Sequence, residues 1–233
     1  MAKMMKKTEA RLRQRGMMLI ISGPSGCGKD TVAELLTADE PYIDRSISAT
    51  SRTPRKGERE GVDYYFIEKN DFESRITEGY FLEYNNFVGN YYGIPRGPVE
   101  DKLSKGIDVL FVIDWNGARK LAAAMPEDVV SIFLLPPTLD ALRKRLVNRG
   151  TEDSDVIEDR ITQGKIDITH YDEYDYVVVN DDLDSVLRRM KRILRAERLR
   201  RYRQPWLPKF VDELLRGKVP EPEVLEVTTE RVG

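Results

Sequence analysis

Four short apolar runs punctuate the chain, at residues 17–22, 107–113, 129–135 and 174–180. Each is rich in β-formers, bounded by polar residues and separated from the next by helical stretches, the pattern of strands buried on both faces of a parallel sheet. The first run, MMLIIS, passes into glycine-rich sequence, after which Val32, Leu35 and Leu36 fall at helical spacing. Strand, loop and helix are predicted there, and the whole reads as an α/β, three-layer core with a parallel sheet covered by helices on both faces.

Between Ser46 and Pro98 the texture changes. Aromatic and polar residues alternate (Asp63-Tyr64-Tyr65-Phe66, Tyr80-Phe81-Leu82, Tyr91-Tyr92-Gly93) around Gly57, Gly61, Gly79 and Gly89, which predicts a small antiparallel sheet inserted at about 46–98. Residues 138–170 are helical and highly charged, broken at Gly150, as in a helical flap. From Leu183 to Tyr202, Val186, Leu187, Met190, Ile193 and Leu194 share one helical face and arginines occupy the other. Beyond Gln204 come Pro205, Pro208, Pro220 and Pro222 and an acidic end. The expected organisation is a basic extension over 1–16, a body over 17–203 and a loosely attached tail over 204–233.

Composition narrows the function classes. With 233 residues, 40% hydrophobic and 33% charged, the chain can bury one full-sized core plus a small subdomain. Lys+Arg (38) and Asp+Glu (40) nearly cancel, to a net charge of −2, so no global field favours nucleic acid or an anionic membrane, and anion binding has to be local. No apolar run approaches the length of a membrane span, and a cytoplasmic protein is expected. The single cysteine, Cys27, forms no internal disulfide, and the single histidine, His170, excludes multi-histidine metal sites. His170 is expected to cap or pack rather than react. In the tail, Trp206, Leu207, Phe210, Leu214 and Leu215 are expected to dock on the core or on a second copy, which leaves homo-oligomerisation open.

Gly23-Pro24-Ser25-Gly26-Cys27-Gly28-Lys29 matches G-x-x-x-x-G-K, between a predicted strand and a predicted helix. Glycines let successive backbone N–H groups face a phosphate, the helix N-terminus adds its positive dipole end, and Lys29 supplies a point charge. This points to ATP. The next position, where Ser or Thr normally ligates Mg²⁺, is Asp30, followed by Thr31. A carboxylate is a hard ligand able to hold Mg²⁺, yet it also places negative charge beside a triphosphate. Cys27 sits in the loop with its side chain expected to be incidental.

A second block, Ser46-Ile47-Ser48-Ala49-Thr50-Ser51-Arg52-Thr53-Pro54-Arg55-Lys56-Gly57-Glu58, runs on through Gly61-Val62-Asp63-Tyr64-Tyr65-Phe66. Two arginines three apart beside tyrosines suit a phosphate monoester dianion, through forked, charge-assisted hydrogen bonds. With the phosphate loop before it, the sequence from about Met17 to about Tyr202 resembles guanylate kinase. The resemblance implies a P-loop NTPase core, a GMP-binding insert and a helical lid, and ATP-dependent phosphorylation of GMP and dGMP with Mg²⁺. It implies that Arg52, Arg55, Tyr64 and Tyr92, with Glu58, form the GMP phosphate site. It also places Ser48 at the base carbonyl and Glu83, in Gly79-Tyr80-Phe81-Leu82-Glu83-Tyr84, on guanine's N1–H and N2–H₂ donors.

Asp114 is the remaining carboxylate of Val112-Ile113-Asp114, where the family usually carries two, and Ile94 stands where the family usually has a hydroxyl. In the lid, Arg145, Arg149 and Arg160 resemble the family's arginines that stabilise charge on the transferring phosphoryl group. Asn180, Asp181 and Asp182 are expected near the adenine. Two other readings remain: a related kinase acting on another phosphorylated small molecule, and a silent interaction module of the same fold. The retained Gly28, Lys29, Arg149 and Glu83 speak for the nucleotide kinase.

Overall fold

The computed structural model describes residues 7–12, 14–148, 154–218 and 224–229. In chain order the elements are β1 (Lys7–Leu12), β2 (Met18–Ser22), α1 (Lys29–Asp39), β3 (Ile43–Arg45), β4 (Ala49–Thr50), β5 (Tyr65–Phe66), α2 (Lys69–Thr77), β6 (Phe81–Phe87) and β7 (Asn90–Pro95). There follow α3 (Arg96–Ser104), β8 (Asp108–Val112), α4 (Trp115–Ala124), β9 (Val129–Leu135), α5 (Leu139–Asn148), α6 (Ser154–Ile168), β10 (Tyr176–Val179), α7 (Leu183–Arg198), α8 (Leu207–Leu215) and β11 (Val224–Thr229).

The core sheet has the order β10-β9-β2-β8-β3, with every neighbouring pair parallel. β2 lies at its centre with all five residues buried, and because side chains alternate across a strand it divides the core in two. Leu19 and Ile21 join Val32 and Leu36 of α1, Met190 and Leu194 of α7, and Leu142 and Leu146 at the root of the flap. Met18 and Ile20 face the other way, onto Val99 and Leu103 of α3 and Ala118 and Leu121 of α4. The four apolar runs are four of the five core strands. The fifth, β3, is an edge strand of three residues with only Ile43 buried, too short to show a period.

The inserted sheet has the order β5-β4-β7-β6 and is antiparallel except for two-residue β5, which runs parallel to β4. Its own core is aromatic: Phe72 of α2 stacks on Phe81 at 4.2 Å and on Tyr91 at 5.3 Å. The β6–β7 hairpin closes through a two-residue turn, Val88-Gly89, with both residues at positive φ.

At the amino ends of the core strands, the entry to β2 is tied down by charge. The Arg15 guanidinium donates to Asp128 at 2.6 and 2.7 Å. Buried Asp108 accepts from the Met17 N–H at 2.9 Å and from Arg198 at 2.7 and 2.9 Å. Buried Arg203 donates to the Gly16 and Asp128 carbonyls, so the chain is part of the core through residue 203. Past that point α8 leaves Val211, Leu214 and Leu215 exposed, while β11 returns to pair antiparallel with β1.

Val88 is 81% exposed and held at φ 50°, a region that costs a β-branched residue about 1–2 kcal/mol. Val88→Asn, restoring the Asn-Gly pair such turns favour, is expected to raise stability by about 1 kcal/mol with turnover unchanged. Urea denaturation followed by circular dichroism measures this; an unchanged or lower midpoint contradicts it.

Candidate nucleotide and phosphate site

The chain runs from β2 out to β3, back to β8 beside β2, and then across to β9 on the other side. The strand order therefore reverses around the carboxyl end of β2, where α/β sheets open a ligand crevice. Residues 23–28 cross that point. Gly28 caps α1 in the left-handed region at φ 98°, and a Cβ there would lie 2.6 Å from the Asn180 amide nitrogen. No side chain caps the first turn of α1, so its backbone N–H groups remain available to an anion.

Three cations gather on this loop. Lys29 Nζ donates to the Gly23 and Pro24 carbonyls at 2.7 and 3.0 Å. Arg160 of α6 donates to Ser25 Oγ at 3.0 Å. Arg145 of α5 spans the Cys27 carbonyl at 3.1 Å and the Asn180 carbonyl at 3.0 Å, while Asn180 Nδ2 donates to the same Cys27 carbonyl at 2.7 Å. Beside them opens a cavity of about 430 Å³ lined by Gly26, Gly28, Thr31, Arg145 and residues 180–183, large enough for a base and ribose. Asn180, Asp181 and Asp182 thus sit beside the phosphate loop and line this cavity. Arg149 lies outside the described residues. Arg143 and Glu158 form an ion pair that joins the two lid helices.

The Cys27 thiol is fully buried, and burial pushes its pKa up, which leaves it unreactive. The residue contributes through its carbonyl. Asp30 is exposed, with its carboxylate 3.7 Å from Arg45 at the end of β3, so the strand leading into the insert is linked to the first turn of α1.

In the insert, the Arg52 guanidinium forks onto Glu58 at 2.8 and 3.0 Å, and Glu58 also accepts from the Arg55 backbone N–H at 2.7 Å. The bond from Arg52 is the main cause of the lowered pKa of Glu58. Arg52 lies 5.5 Å from the centre of the Tyr64 ring, is hydrogen-bonded to Tyr92, and the two rings meet edge to face at 6.2 Å. Arg52, Tyr64, Tyr92 and Glu58 therefore form one cluster. Arg55 joins it by its backbone and keeps its side chain exposed. Ser48 is half-buried in the segment just before β4, its carbonyl accepting from the Tyr65 N–H at 2.9 Å.

Glu83 lies on β6 with its carboxylate mostly covered. Burial raises its pKa, opposed by Lys120, whose Nζ stands 3.6 Å away, and Asp114 adds to the rise. One Asp114 oxygen accepts from the Gly117 N–H at 2.8 Å and caps α4. Ile94, the cross-strand partner of Glu83, is 3% exposed and packed in the core, and Val112 packs on the other core cluster, so both departures from the family pattern are filled as apolar packing positions.

Two groups went unread in the sequence. Lys120 is one, although its spacing from Asp114 places it on the same helix. The other is the root of the lid, where His170 stacks on Trp115 at 4.0 Å and both His170 and Arg119 bind Glu173, at 2.7 and 2.5 Å. His170 packs, as expected.

Comparison with known proteins agrees with this geometry. The guanylate kinase family model matches residues 15–197. Relatives named guanylate kinase include those of Maricaulis maris (46% identical over 87% of this chain and 93% of its own) and Cereibacter sphaeroides (47%, over 86% and 95%). The crystal structure of guanylate kinase from Anaplasma phagocytophilum aligns with a TM-score of 0.67 and 37% identity, covering 91% of this chain and 100% of that one.

The hydrogen bonds from Arg119, with the contact to His170 adding to them, lower the Glu173 pKa from about 4.5 to about 2. A depressed carboxylate stabilises the fold fully above its unfolded pKa and loses that contribution as pH falls toward its folded value. Wild type is therefore expected to melt above Glu173→Gln at neutral pH, with the gap closing between about pH 4.5 and pH 2. Thermal melts across that range test this; a gap independent of pH contradicts it.

Proposed function

The chain belongs to the guanylate kinase family and transfers the γ-phosphoryl group of ATP to GMP, and from that premise we propose which of its residues perform each part of the transfer. The observation that carries the assignment is the gathering of Lys29, Arg145 and Arg160 on the acceptors of one phosphate loop, beside an uncapped helix N-terminus.

ATP binds with its phosphates on backbone N–H groups between Ser25 and Thr31 and its base in the cavity beside Asn180. Lys29 turns from the Gly23 and Pro24 carbonyls to the β- and γ-oxygens. GMP binds in the insert, with Arg52, Arg55, Tyr64 and Tyr92 on its phosphate, and Glu58 holds the Arg52 fork in orientation. Ser48, Glu83 and Asp114 face the guanine. The GMP phosphate is already largely dianionic near neutral pH and acts as the nucleophile without a general base. One of its oxygens bonds to the γ-phosphorus as the bond to the β–γ bridging oxygen breaks, giving GDP and ADP. Arg145 and Arg160, with Arg149, meet the charge on the equatorial oxygens and close the site to water.

Mg²⁺ fits the donors present. Asp30 offers a hard, exposed oxygen in the first turn of α1 beside the Thr31 hydroxyl, and the ion usually takes only one or two protein ligands along with waters and phosphate oxygens. Its part is to neutralise phosphate charge. The same chemistry extends to dGMP, since no group assigned here depends on the 2′-hydroxyl.

Lys29→Ala is expected to lower kcat for ADP formation from ATP and GMP by at least about 10²- to 10³-fold, the cost of one preorganised charge at the reacting oxygens. The melting temperature should stay near wild type, because the side chain is bonded to loop carbonyls rather than packed in the core. Turnover within a few-fold of wild type contradicts the phosphate-loop assignment.

A further inference from the structure

On β6 and α4 a carboxylate and an ammonium stand side by side: Glu83 with its side chain 11% exposed, and Lys120 with Nζ 3.6 Å from Glu83 Oε2. Lys120 is held in place by a second contact, donating to the Tyr84 carbonyl at 3.1 Å. An ammonium has three donors, and this one keeps a donor beyond the bond to Tyr84. The strand opposite offers none, since Ile94, paired with Glu83, is turned into the core.

We propose that Lys120 is a specificity-determining residue, donating to the O6 carbonyl of guanine beside the N1–H and N2–H₂ that Glu83 accepts. The proposal rests on the reading of Glu83 as the base-contacting carboxylate. Guanine's edge reads acceptor, donor, donor, and the Lys120–Glu83 pair presents the complementary donor and acceptors in adjacent places. Adenine carries an amino donor where guanine has O6 and a bare acceptor where guanine has N1–H. Against adenine both members of the pair are mismatched, so the pair rejects as well as attracts. Ser48, the hydroxyl offered to the base carbonyl, both donates and accepts and so discriminates less; an ammonium can only donate. Lys120 acts on Glu83 too. Burial and Asp114 push the carboxyl toward its neutral form, and the cation opposes them.

The test is steady-state kinetics of wild type, Lys120→Met and Lys120→Arg with GMP, with inosine monophosphate, which lacks the 2-amino group, and with 6-thio-GMP, whose sulfur is a weaker acceptor than O6. Lys120 is exposed, and a melt confirms that each variant folds. Lys120→Met should raise KM for GMP about tenfold, the lower end for losing a charge-assisted bond at a partly exposed site, with kcat within about twofold. The penalty should shrink to under about threefold on 6-thio-GMP, and Lys120→Arg should restore most of the affinity for GMP. Equal penalties on GMP and 6-thio-GMP, or none on GMP, overturn the proposal, because an effect exerted only through Glu83 or through the fold does not follow the atom at position 6. Glu83→Gln reads the underlying assignment separately: if it leaves the ratio of GMP to inosine monophosphate activity unchanged, the reading of Glu83 fails and the proposal with it.

Discussion

A site for polyphosphates has to hold several positive charges close together before any anion arrives to offset their repulsion. This protein does so by giving each cation an acceptor of its own. Lys29 rests on two loop carbonyls, Arg145 on the carbonyls of Cys27 and Asn180, and Arg160 on a serine hydroxyl. These acceptors are neutral, and a phosphate oxygen adds the attraction of opposite charges to the same hydrogen bond. Substrate can therefore take over each contact without rebuilding the site. Arg52 is treated differently: its partner Glu58 is charged, and the Thr53 carbonyl accepts from it too, so the fork is held in one orientation.

The Cys27 carbonyl is where the arrangement converges. It receives Arg145 from the lid and Asn180 from the end of β10, so one backbone oxygen positions the phosphate loop against two separate elements. The lid is not a free flap at its base. Leu142 and Leu146 belong to the same buried cluster as Ile21 and Val32, and a Cβ on Gly26 would lie 2.9 Å from Leu146. At its far end, the Trp115–His170 stack and the Glu173 pairs fasten the end of α6 to α4, the helix that Asp114 caps and that carries Lys120 beside Glu83. α4 thus meets β6 of the insert with one face and the root of the lid with another.

The parts legible in the sequence are those governed by local periodicity and by motif spacing. The runs at 17–22, 107–113 and 129–135 are legible because a strand buried on both faces must be apolar throughout, whereas 174–180 is apolar although β10 is an edge strand with only Val178 buried. The phosphate loop is legible because Gly28 and Lys29 meet strict backbone requirements within a few residues of each other. β3 was not, since a three-residue edge strand buries one side chain and leaves no pattern. The Glu83–Lys120 pair and the Arg119–Glu173 pair join residues 37 and 54 positions apart, and nothing in either segment alone announces the partner. Asn180 was placed near the base, but its hold on the phosphate loop depends on the register of β10 beside β9. Of the apolar tail residues expected to dock, Trp206, Leu207 and Phe210 are half-buried, while Leu214 and Leu215 stand exposed.

If the cations on the phosphate loop are poised on protein acceptors, they pass to phosphate when substrates bind, which a crystal structure with GMP and a non-hydrolysable ATP analogue would show. In that complex Lys29 Nζ is expected to leave the Gly23 and Pro24 carbonyls, and Arg145 and Arg160 to exchange at least one contact each, for phosphate oxygens within hydrogen-bond distance, while Arg52 keeps Glu58 and gains the GMP phosphate. A complex in which Lys29, Arg145 and Arg160 keep their present partners while the phosphates are bound by other residues would contradict it.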